Sequence, residues 1–304
     1  MAGRTDIFIE EVKDTLEKVI LKSLEETEDI PSRITGNAGL LWAFSAAYGH
    51  FKKKNYLLDA SKMRDRLVDD FTDHKFGGVF WEVDKNGERL DTSARLKGQG
   101  SAILALSEFY KATKDDEALK VAINIYNIVE KEFHKDGEYA ETLTRDFQPS
   151  DEPKKSKSLL VLLEGYANLY DIWPDKELAG HVKDLLSSLE KAEFCPCNKA
   201  EASWAMLSAA FCLKDFDLVN EIRKSSVREN KSLAGDSCEG KLGKDLPEEI
   251  VADLWAWKFR DANDGAEKAL KLWESVSKDK DLLTKGCPLH NVRMCVEALR
   301  IFEV

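Results

Sequence analysis

Apolar residues recur every three or four positions along most of the chain, with charged residues between them. This spacing places apolar side chains on one helical face from Ile9 to Leu24 and from Tyr56 to Phe71. Between these stretches, Leu40 to Tyr48 is rich in alanine and aromatic residues, and a polar break at Lys52 to Asn55 follows it. The pattern predicts an amphipathic first helix and then two helices joined by a short loop.

The same pair of helices recurs downstream at an offset of about sixty residues. Weaker copies follow the strong ones, and a last helix comes after them. The further predicted helices are Ala102 to Tyr110, Leu119 to Phe133, Leu159 to Ile172, Leu178 to Leu189, Ala202 to Leu213, Leu218 to Val227, Ile250 to Phe259, Ala266 to Val276 and Val292 to Phe302. Pairing the first helix with the last gives about twelve helices in six pairs, which indicates a closed ring.

One stretch alternates apolar and polar residues as a strand does. Val79 to Val83 alternates, Asn86-Gly87 is a hairpin turn signal, and Arg89 to Asp91 would form the returning strand. The segment from Arg228 to Leu246 carries glycines and many charges instead, so we expect a mobile loop there that could cover the mouth of the ring.

The composition fits one globular domain. Hydrophobic residues make up 43% and charged residues 33% of the 304 residues, which is enough for a core and a solvated shell. A single core can serve roughly 250 residues when the architecture is a barrel. We therefore expect one domain that spans residues 1–304.

The net charge of −11 argues against nucleic acid as a partner, because phosphates would be repelled and no basic block offsets the charge. The sequence has no apolar run long enough to predict a membrane-spanning segment. All six cysteines lie after Phe194, whereas the disulfide framework of a secreted domain is smaller and denser. We expect free thiols and a cytoplasmic location.

Several segments occur in the order in which cellobiose 2-epimerases carry them. Asn37 to Tyr48 resembles the opening inner helix of that family, and Gly77 to Asp84 resembles the hairpin that follows it. The later matches are Gln99 with Ala102 to Tyr110, Thr144 to Phe147, Glu164 to Trp173, Glu201 to Trp204 and Cys287 to Asn291. Over most of its length the chain resembles the N-acylglucosamine 2-epimerase and cellobiose 2-epimerase superfamily, as a divergent and shortened member.

The resemblance implies an all-α fold, an (α/α)6 barrel of six helix hairpins with one or two short β-hairpins. It also implies a central cleft for a mono- or disaccharide, and chemistry that needs no metal and no cofactor. Superfamily members interconvert C2 epimers of aldoses, and some isomerise aldose and ketose. A base must remove the weakly acidic C2 proton of the open-chain sugar, and donors must stabilise the cis-enediolate that forms.

The matched segments supply candidate site residues. His290 matches the C-terminal histidine of the family and is the candidate acid/base. Glu201 matches the glutamate that orients a neighbouring histidine, so it is the second catalytic candidate. The candidate substrate-binding residues are Trp204, Trp42, Arg145, Asn291 and Gln99.

Other catalytic positions of the family carry different residues here. The positions of two histidines align with Leu159 and Val161, and that of a third aligns with Asn198. The inner-helix arginine aligns with Gly39. Because inversion at C2 needs proton return on the opposite face, the resemblance implies an epimerase or isomerase of weak or absent activity. A one-base isomerase and a non-catalytic carbohydrate-binding or protein-interaction module on the same fold both stay open.

Simpler explanations compete with these assignments. Tryptophan on a helix stripe is more often core than a sugar platform, and Arg145 could form a surface ion pair with Asp146 or Glu141. The final-helix histidine could be a helix cap. The other histidines are expected on the solvated surface: His50, His74, His134 and His181.

Zinc is a further alternative for the cysteine-rich segment. Cys195 and Cys197 are separated by one residue, whereas structural zinc sites prefer a gap of about two to four. The resemblance already accounts for Cys287 without a metal. We therefore expect no zinc site at these cysteines.

Overall fold

The computed structural model divides the chain into two compact units. One comprises Asp29–Glu193, and the other comprises Met1–Glu28 with Phe194–Val304. The structure describes residues 10–15, 17–18, 32–150, 152–153, 155–192, 194, 196–222, 251 and 288–302, without the side chains of 196–200, 288–291 and 302. One domain spanning residues 1–304 stays a prediction.

Three hairpins of helices form the larger unit. In each hairpin, a helix buried on most sides is followed by one with fewer buried positions. The hairpins are α1 (Ile34–Phe51) with α2 (Lys54–Arg66), α3 (Leu96–Thr113) with α4 (Asp116–Ile128), and α5 (Ser156–Tyr170) with α6 (Lys176–Glu190). Single π-helical turns, Leu67–Phe71 and Val129–Phe133, extend α2 and α4. Each of these helices lies where the apolar spacing predicts one.

Local capping explains why the loops within these hairpins are short. The side chains of Asp115 and Asp175 each accept two backbone N–H bonds at the start of α4 and α6. At the other side of the turn, α1 and α3 end at Lys52 and Lys114 in the left-handed conformation. Each hairpin is thus closed by signals that lie within a few residues of the turn.

The buried helices pack side by side. Helix α3 packs against α1 on one side and α5 on the other, while α2, α4 and α6 each pack on their own partner. Glycines permit the closest approach, because a Cβ atom on Gly165 would lie 2.6 Å from the carbonyl oxygen of Gly100. The larger unit therefore has an inner layer of α1, α3 and α5 and an outer layer of α2, α4 and α6.

Short antiparallel strand pairs connect the outer helices to the next inner ones. The strands are β1 (Glu82–Val83), β2 (Arg89–Asp91), β3 (Ala94–Arg95), β4 (His134–Lys135), β5 (Glu138–Tyr139) and β6 (Thr142–Leu143). The β1–β2 hairpin is the predicted one. The β4–β5 hairpin and the pairing of β3 with β6 were not predicted, because two-residue strands leave almost no alternation to detect.

The smaller unit contains α7 (Pro196–Cys212), a helical stretch at 216–222 and α8 (Pro288–Phe302). Residues 10–15 and 17–18 are also helical. Predicted helices across 252–276 and the predicted loop 228–246 lie outside the described residues.

The described cysteines and helices bear on two further expectations. Cys212 and Cys295 form no disulfide, and burial raises the pKa of the Cys295 thiol. Cys195, Cys238 and Cys287 lie outside the described residues, as does the side chain of Cys197. Among the described helices, none has the length and apolar character to cross a membrane. The cytoplasmic location stays a prediction.

Candidate functional site

Hydrogen bonds hold the N-terminal turns of the inner helices of the larger unit to the strand segments beside them. Ile34 N–H donates to the carbonyl oxygen of Trp81 at 3.1 Å, at the start of α1. Leu96 N–H donates to the carbonyl oxygen of Glu141 at 2.9 Å, at the start of α3. At the start of α5, Lys155 N–H and the Ser158 hydroxyl donate to the carboxylate of the same Glu141, so the three first turns and the strand pairs share one end of this unit. We refer to it as the hairpin end.

The first turns at the hairpin end carry partly exposed positions on otherwise buried helices. They are Thr35, Gly36 and Gly39 on α1, Lys97 and Ser101 on α3, and Lys157, Leu159 and Val161 on α5. Three of them, Gly39, Leu159 and Val161, are the positions that the resemblance predicts to match the arginine and two of the histidines of the family. The side chains that stand there offer no group that can transfer a proton.

Trp81 lies between α1 and α3 at the hairpin end. A Cβ atom on Gly98 would lie 3.5 Å from the Trp81 ring and 2.9 Å from Ile34, so the glycine lets the indole pack against the first turn of α3. The guanidinium of Arg95 lies 4.6 Å from the centre of the indole, and it donates to Asp91 at 2.8 Å. A partly exposed indole beside charged groups suits the stacking of a sugar ring and hydrogen bonding to its hydroxyls.

Arg145 pairs with Asp73, and not with Asp146 or Glu141. Its Nε donates to Asp73 at 2.6 Å and its Nη2 at 3.2 Å. Burial alone would raise the pKa of Asp73, but hydrogen bonds from Arg145 and from backbone N–H groups outweigh it and lower that pKa. The simple surface pair is therefore a wrong expectation, because the Asp73 side chain is only 4% exposed.

Gln99 is completely buried and bonded to the chain itself. Its Oε1 accepts from Val79 N–H at 2.9 Å, and its Nε2 donates to the Val79 carbonyl at 2.8 Å. The amide thus completes a two-way bond with the segment that leads into the β1–β2 hairpin. This geometry gives Gln99 a positioning task, with both of its amide atoms already engaged.

Trp42 also lies within the packed interior of the larger unit. Its side chain is on α1, and the residue is 5% exposed. Contact between this indole and a sugar stays a prediction.

In the smaller unit, α7 presents two candidates one turn apart. Glu201 and Trp204 are each 4% exposed. The guanidinium of Arg293 on α8 lies 5.2 Å from the centre of the Trp204 ring, so the Arg293 side chain reaches Trp204 on α7. His290 precedes Arg293 by one helical turn, as Glu201 precedes Trp204. The side chains of His290, Asn291 and Asn198 lie outside the described ones.

Two histidines are not solvated surface side chains, contrary to expectation. The side chains of His134 and His181 are 21% and 25% exposed, and a ring nitrogen of each lies within 3.2 Å of Glu130 Oε2. Within the described residues, Glu130, His134 and His181 form a group that could hold a metal ion. His181 follows Glu130 by 51 positions, with β4 to β6 and α5 between them, so no local spacing could have signalled the contact.

Sequence reasoning also missed the groups around Trp81. Arg95 and Asp91 belong to the segment between the predicted returning strand and the next helix, where charged residues usually indicate only a solvated turn. The four-residue spacing of Asp91 and Arg95 was the available signal of an ion pair, because their side chains meet where β2 leads into β3.

Comparisons with known proteins agree on the kind of molecule. No protein-family model matches the sequence. A cellobiose 2-epimerase from Bacteroides fragilis is 28% identical, over 86% of this chain and 86% of that protein. The crystal structure of a sugar epimerase from a ruminal bacterium has a TM-score of 0.83 at 20% identity, over 96% of this chain and 98% of that one. The structure of a D-mannose isomerase has a TM-score of 0.74 at 15% identity, over 88% and 87%.

The structural likeness, at identities below 25%, shows the fold. It confirms the predicted class, an all-α fold of the (α/α)6 barrel type with short β-hairpins. The sequence similarity extends over most of the curated relative as well as most of this chain. Together, the shared fold and the sequence similarity support the resemblance of this chain to the N-acylglucosamine 2-epimerase and cellobiose 2-epimerase superfamily.

Proposed function

We propose that the chain binds a mono- or disaccharide and catalyses slow aldose–ketose isomerisation through a cis-enediolate, with C2 epimerisation weaker still or absent. The observation that carries the proposal is the contact between Arg293 on α8 and Trp204 on α7. Each of these residues follows a candidate catalytic residue, His290 or Glu201, by one helical turn. This spacing favours a base on α8 near the carboxylate and the indole of α7.

A single base is sufficient for isomerisation but not for epimerisation. In isomerisation, the base takes the C2 proton and returns it to C1 on the same face of the planar enediolate. Epimerisation returns a proton to C2 from the opposite face, which needs a second group. His290 is the proposed base, and Glu201 is the proposed partner that orients it.

The residues at the hairpin end argue for loss of the second group. Gly39, Leu159 and Val161 occupy partly exposed positions where the resembled family has an arginine and two histidines. Loss of a positioned acid or base typically costs about 10² to 10⁴ in rate for each role. We therefore expect turnover far slower than that of an epimerase with the full set.

The proposal is tested by proton exchange at C2. Purified protein is incubated with cellobiose, mannose and N-acetylmannosamine in deuterated water, and the products are resolved by NMR. Deuterium at C1 of a ketose product and at C2 of the recovered aldose, with little C2 epimer, is the expected result with at least one unsubstituted sugar. The absence of any ketose and of deuterium at C1 or C2 with all three would remove the enzymatic proposal.

Matched variants assign the exchange to the proposed base. His290→Asn should abolish deuterium uptake and Glu201→Gln should slow it by about 10² or more. His74→Asn, at an exposed histidine in the other unit, should leave it unchanged. Exchange that persists in His290→Asn would show that another group is the base.

A non-catalytic sugar-binding module on the same fold is the second candidate. The aliphatic residues at the hairpin end favour it, because Leu159 and Val161 themselves carry no group that can transfer a proton. A saccharide that changes the tryptophan fluorescence without any C2 exchange would support this candidate. A loss of that response in Trp81→Phe would locate the sugar at the hairpin end.

A further inference from the structure

Three tyrosines and two histidines surround one carboxylate, that of Glu130, in the larger unit. Glu130 lies on the π-helical turn that extends α4, and His134 begins β4 four residues later. His181 comes from the middle of α6. We call this group the Glu130 cluster. None of its side chains belongs to the candidate sugar site.

The ligand atoms of the cluster are already close to the geometry of a metal site. His134 Nδ1 lies 2.9 Å from Glu130 Oε2, and His181 Nε2 lies 3.2 Å from the same oxygen. The three atoms all lie within 4.8 Å of one another. Tetrahedral zinc with bonds of about 2.0–2.1 Å separates its ligand atoms by about 3.3 Å. The two separations from Glu130 Oε2 are already near this value, and the two ring nitrogens, which lie within 4.8 Å of each other, would approach by up to about 1.5 Å around an ion.

Hydroxyl groups orient the carboxylate for this task. The hydroxyls of Tyr139 and Tyr166 both donate to Glu130 Oε1, at 2.9 Å and 2.5 Å. Because both hydroxyls bind Oε1, the other carboxylate oxygen, Oε2, faces the two imidazoles.

A second contact of the same kind orients His181. The Tyr126 hydroxyl lies 2.9 Å from His181 Nδ1, which directs Nε2 towards Glu130. Metal-ligating histidines usually have their second ring nitrogen held by such a partner, because it fixes the tautomer and the ring plane. The cluster therefore contains both the ligand atoms and the groups that hold them in place.

We propose that Glu130, His134 and His181 bind one divalent transition-metal ion of the Zn²⁺ type. Two imidazoles and one carboxylate suit Zn²⁺, whereas Mg²⁺ and Ca²⁺ prefer sites made of oxygen ligands. The three side chains are 13–25% exposed, so water can supply the fourth ligand. The ion links the π-helical turn after α4 to β4 and α6. It stabilises the fold and takes no part in the chemistry of the sugar site.

Cobalt spectroscopy on the full chain tests the site directly. Chelator-treated protein is titrated with Co²⁺, and then Zn²⁺ is added as a competitor. We expect one Co²⁺ per chain with the visible bands of tetrahedral N and O ligation, displaced by Zn²⁺ and not by Mg²⁺. A thiolate charge-transfer band would place the metal at the cysteines and overturn the proposal, as would the absence of saturable binding.

Variants separate this cluster from other histidines. His181→Gln should lower the Zn²⁺ affinity by at least tenfold, and Tyr126→Phe, which keeps all three ligands, by about tenfold. His74→Gln is the matched control and should bind as the unsubstituted protein does. If His181→Gln fails to fold by circular dichroism, Tyr126→Phe decides. Unchanged affinity in Tyr126→Phe and in any folded His181→Gln would overturn the proposal.

Discussion

Substitution of Gly165 by alanine should destabilise the larger unit, because it separates two packed helices. The added Cβ atom would lie 2.6 Å from the carbonyl oxygen of Gly100 on α3 and 3.4 Å from Ile103 Cβ. Ordinary contact begins at 3.4 Å, so the two helices must move apart by about 0.8 Å. The obstacle is backbone, which cannot rotate away as a side chain tip can.

The expected magnitude combines two opposing effects. Overpacking of a well-packed interface costs typically 1–3 kcal/mol, and a rigid backbone obstacle places this case at about 3 kcal/mol. Alanine gains about 1 kcal/mol over glycine as a helix former. Gly165→Ala should therefore lower the free energy of unfolding by about 2 kcal/mol.

Gly180 provides a control of opposite sign. It lies in the middle of α6, is exposed, and has no atom within 4 Å of an added Cβ. Gly180→Ala should therefore gain about 1 kcal/mol from helix propensity alone. The two variants should differ by about 3 kcal/mol, and at about 2–4 °C per kcal/mol their Tm values should differ by about 6–12 °C.

Thermal and urea unfolding followed by circular dichroism at the helical band measures the difference. Both variants carry the same chemical change in a helix, so propensity cancels and the steric contact is isolated. A Tm for Gly165→Ala equal to or above that of Gly180→Ala would refute the close packing of α3 on α5.

Three further changes probe single contacts of the larger unit. Asp73→Asn should cost about 2 kcal/mol at neutral pH, because it removes the charged bond with Arg145. Folding lowers the pKa of Asp73, so the stabilisation that Asp73 contributes is present above the ordinary pKa of 3.8 and is lost as the pH falls through the lower pKa of the folded state. The urea midpoints of the variant and of the unsubstituted protein should therefore converge between neutral and strongly acidic pH. Gln99→Leu should cost about 2–4 kcal/mol in thermal unfolding, because the Val79 N–H and carbonyl lose their buried partner. Asp175→Ala should cost about 1 kcal/mol in the same assay, as the loss of an N-cap does. A smaller effect of Gln99→Leu than of Asp175→Ala would contradict the buried hydrogen bonds between Gln99 and Val79.

Much of the fold could be predicted from local pattern. The apolar spacing located every helix of the larger unit, because a buried stripe must recur at the helical period. The turn signal at Asn86-Gly87 located the β1–β2 hairpin. The strands around Glu138 and Thr142 escaped prediction, because two residues cannot establish a period.

The sequence predicted which residues could belong to the candidate site, but not which other residues they contact. The collinear segments indicated Glu201, Trp204 and Arg145, but not what surrounds them. Arg145 bonds to Asp73, which precedes it by 72 positions. Sequence proximity had suggested Asp146 or Glu141 instead.

The sequence by itself determined the helical period, the hairpin loops and the class of fold, because these depend on interactions within a few residues. Only the tertiary structure decided which side chains meet. His181 reaches Glu130, and Trp81 lies against the start of α3, through contacts between segments that are distant along the chain. Such contacts are set by how closely the helices pack, and packing depends on the volume of every side chain at the interface at once.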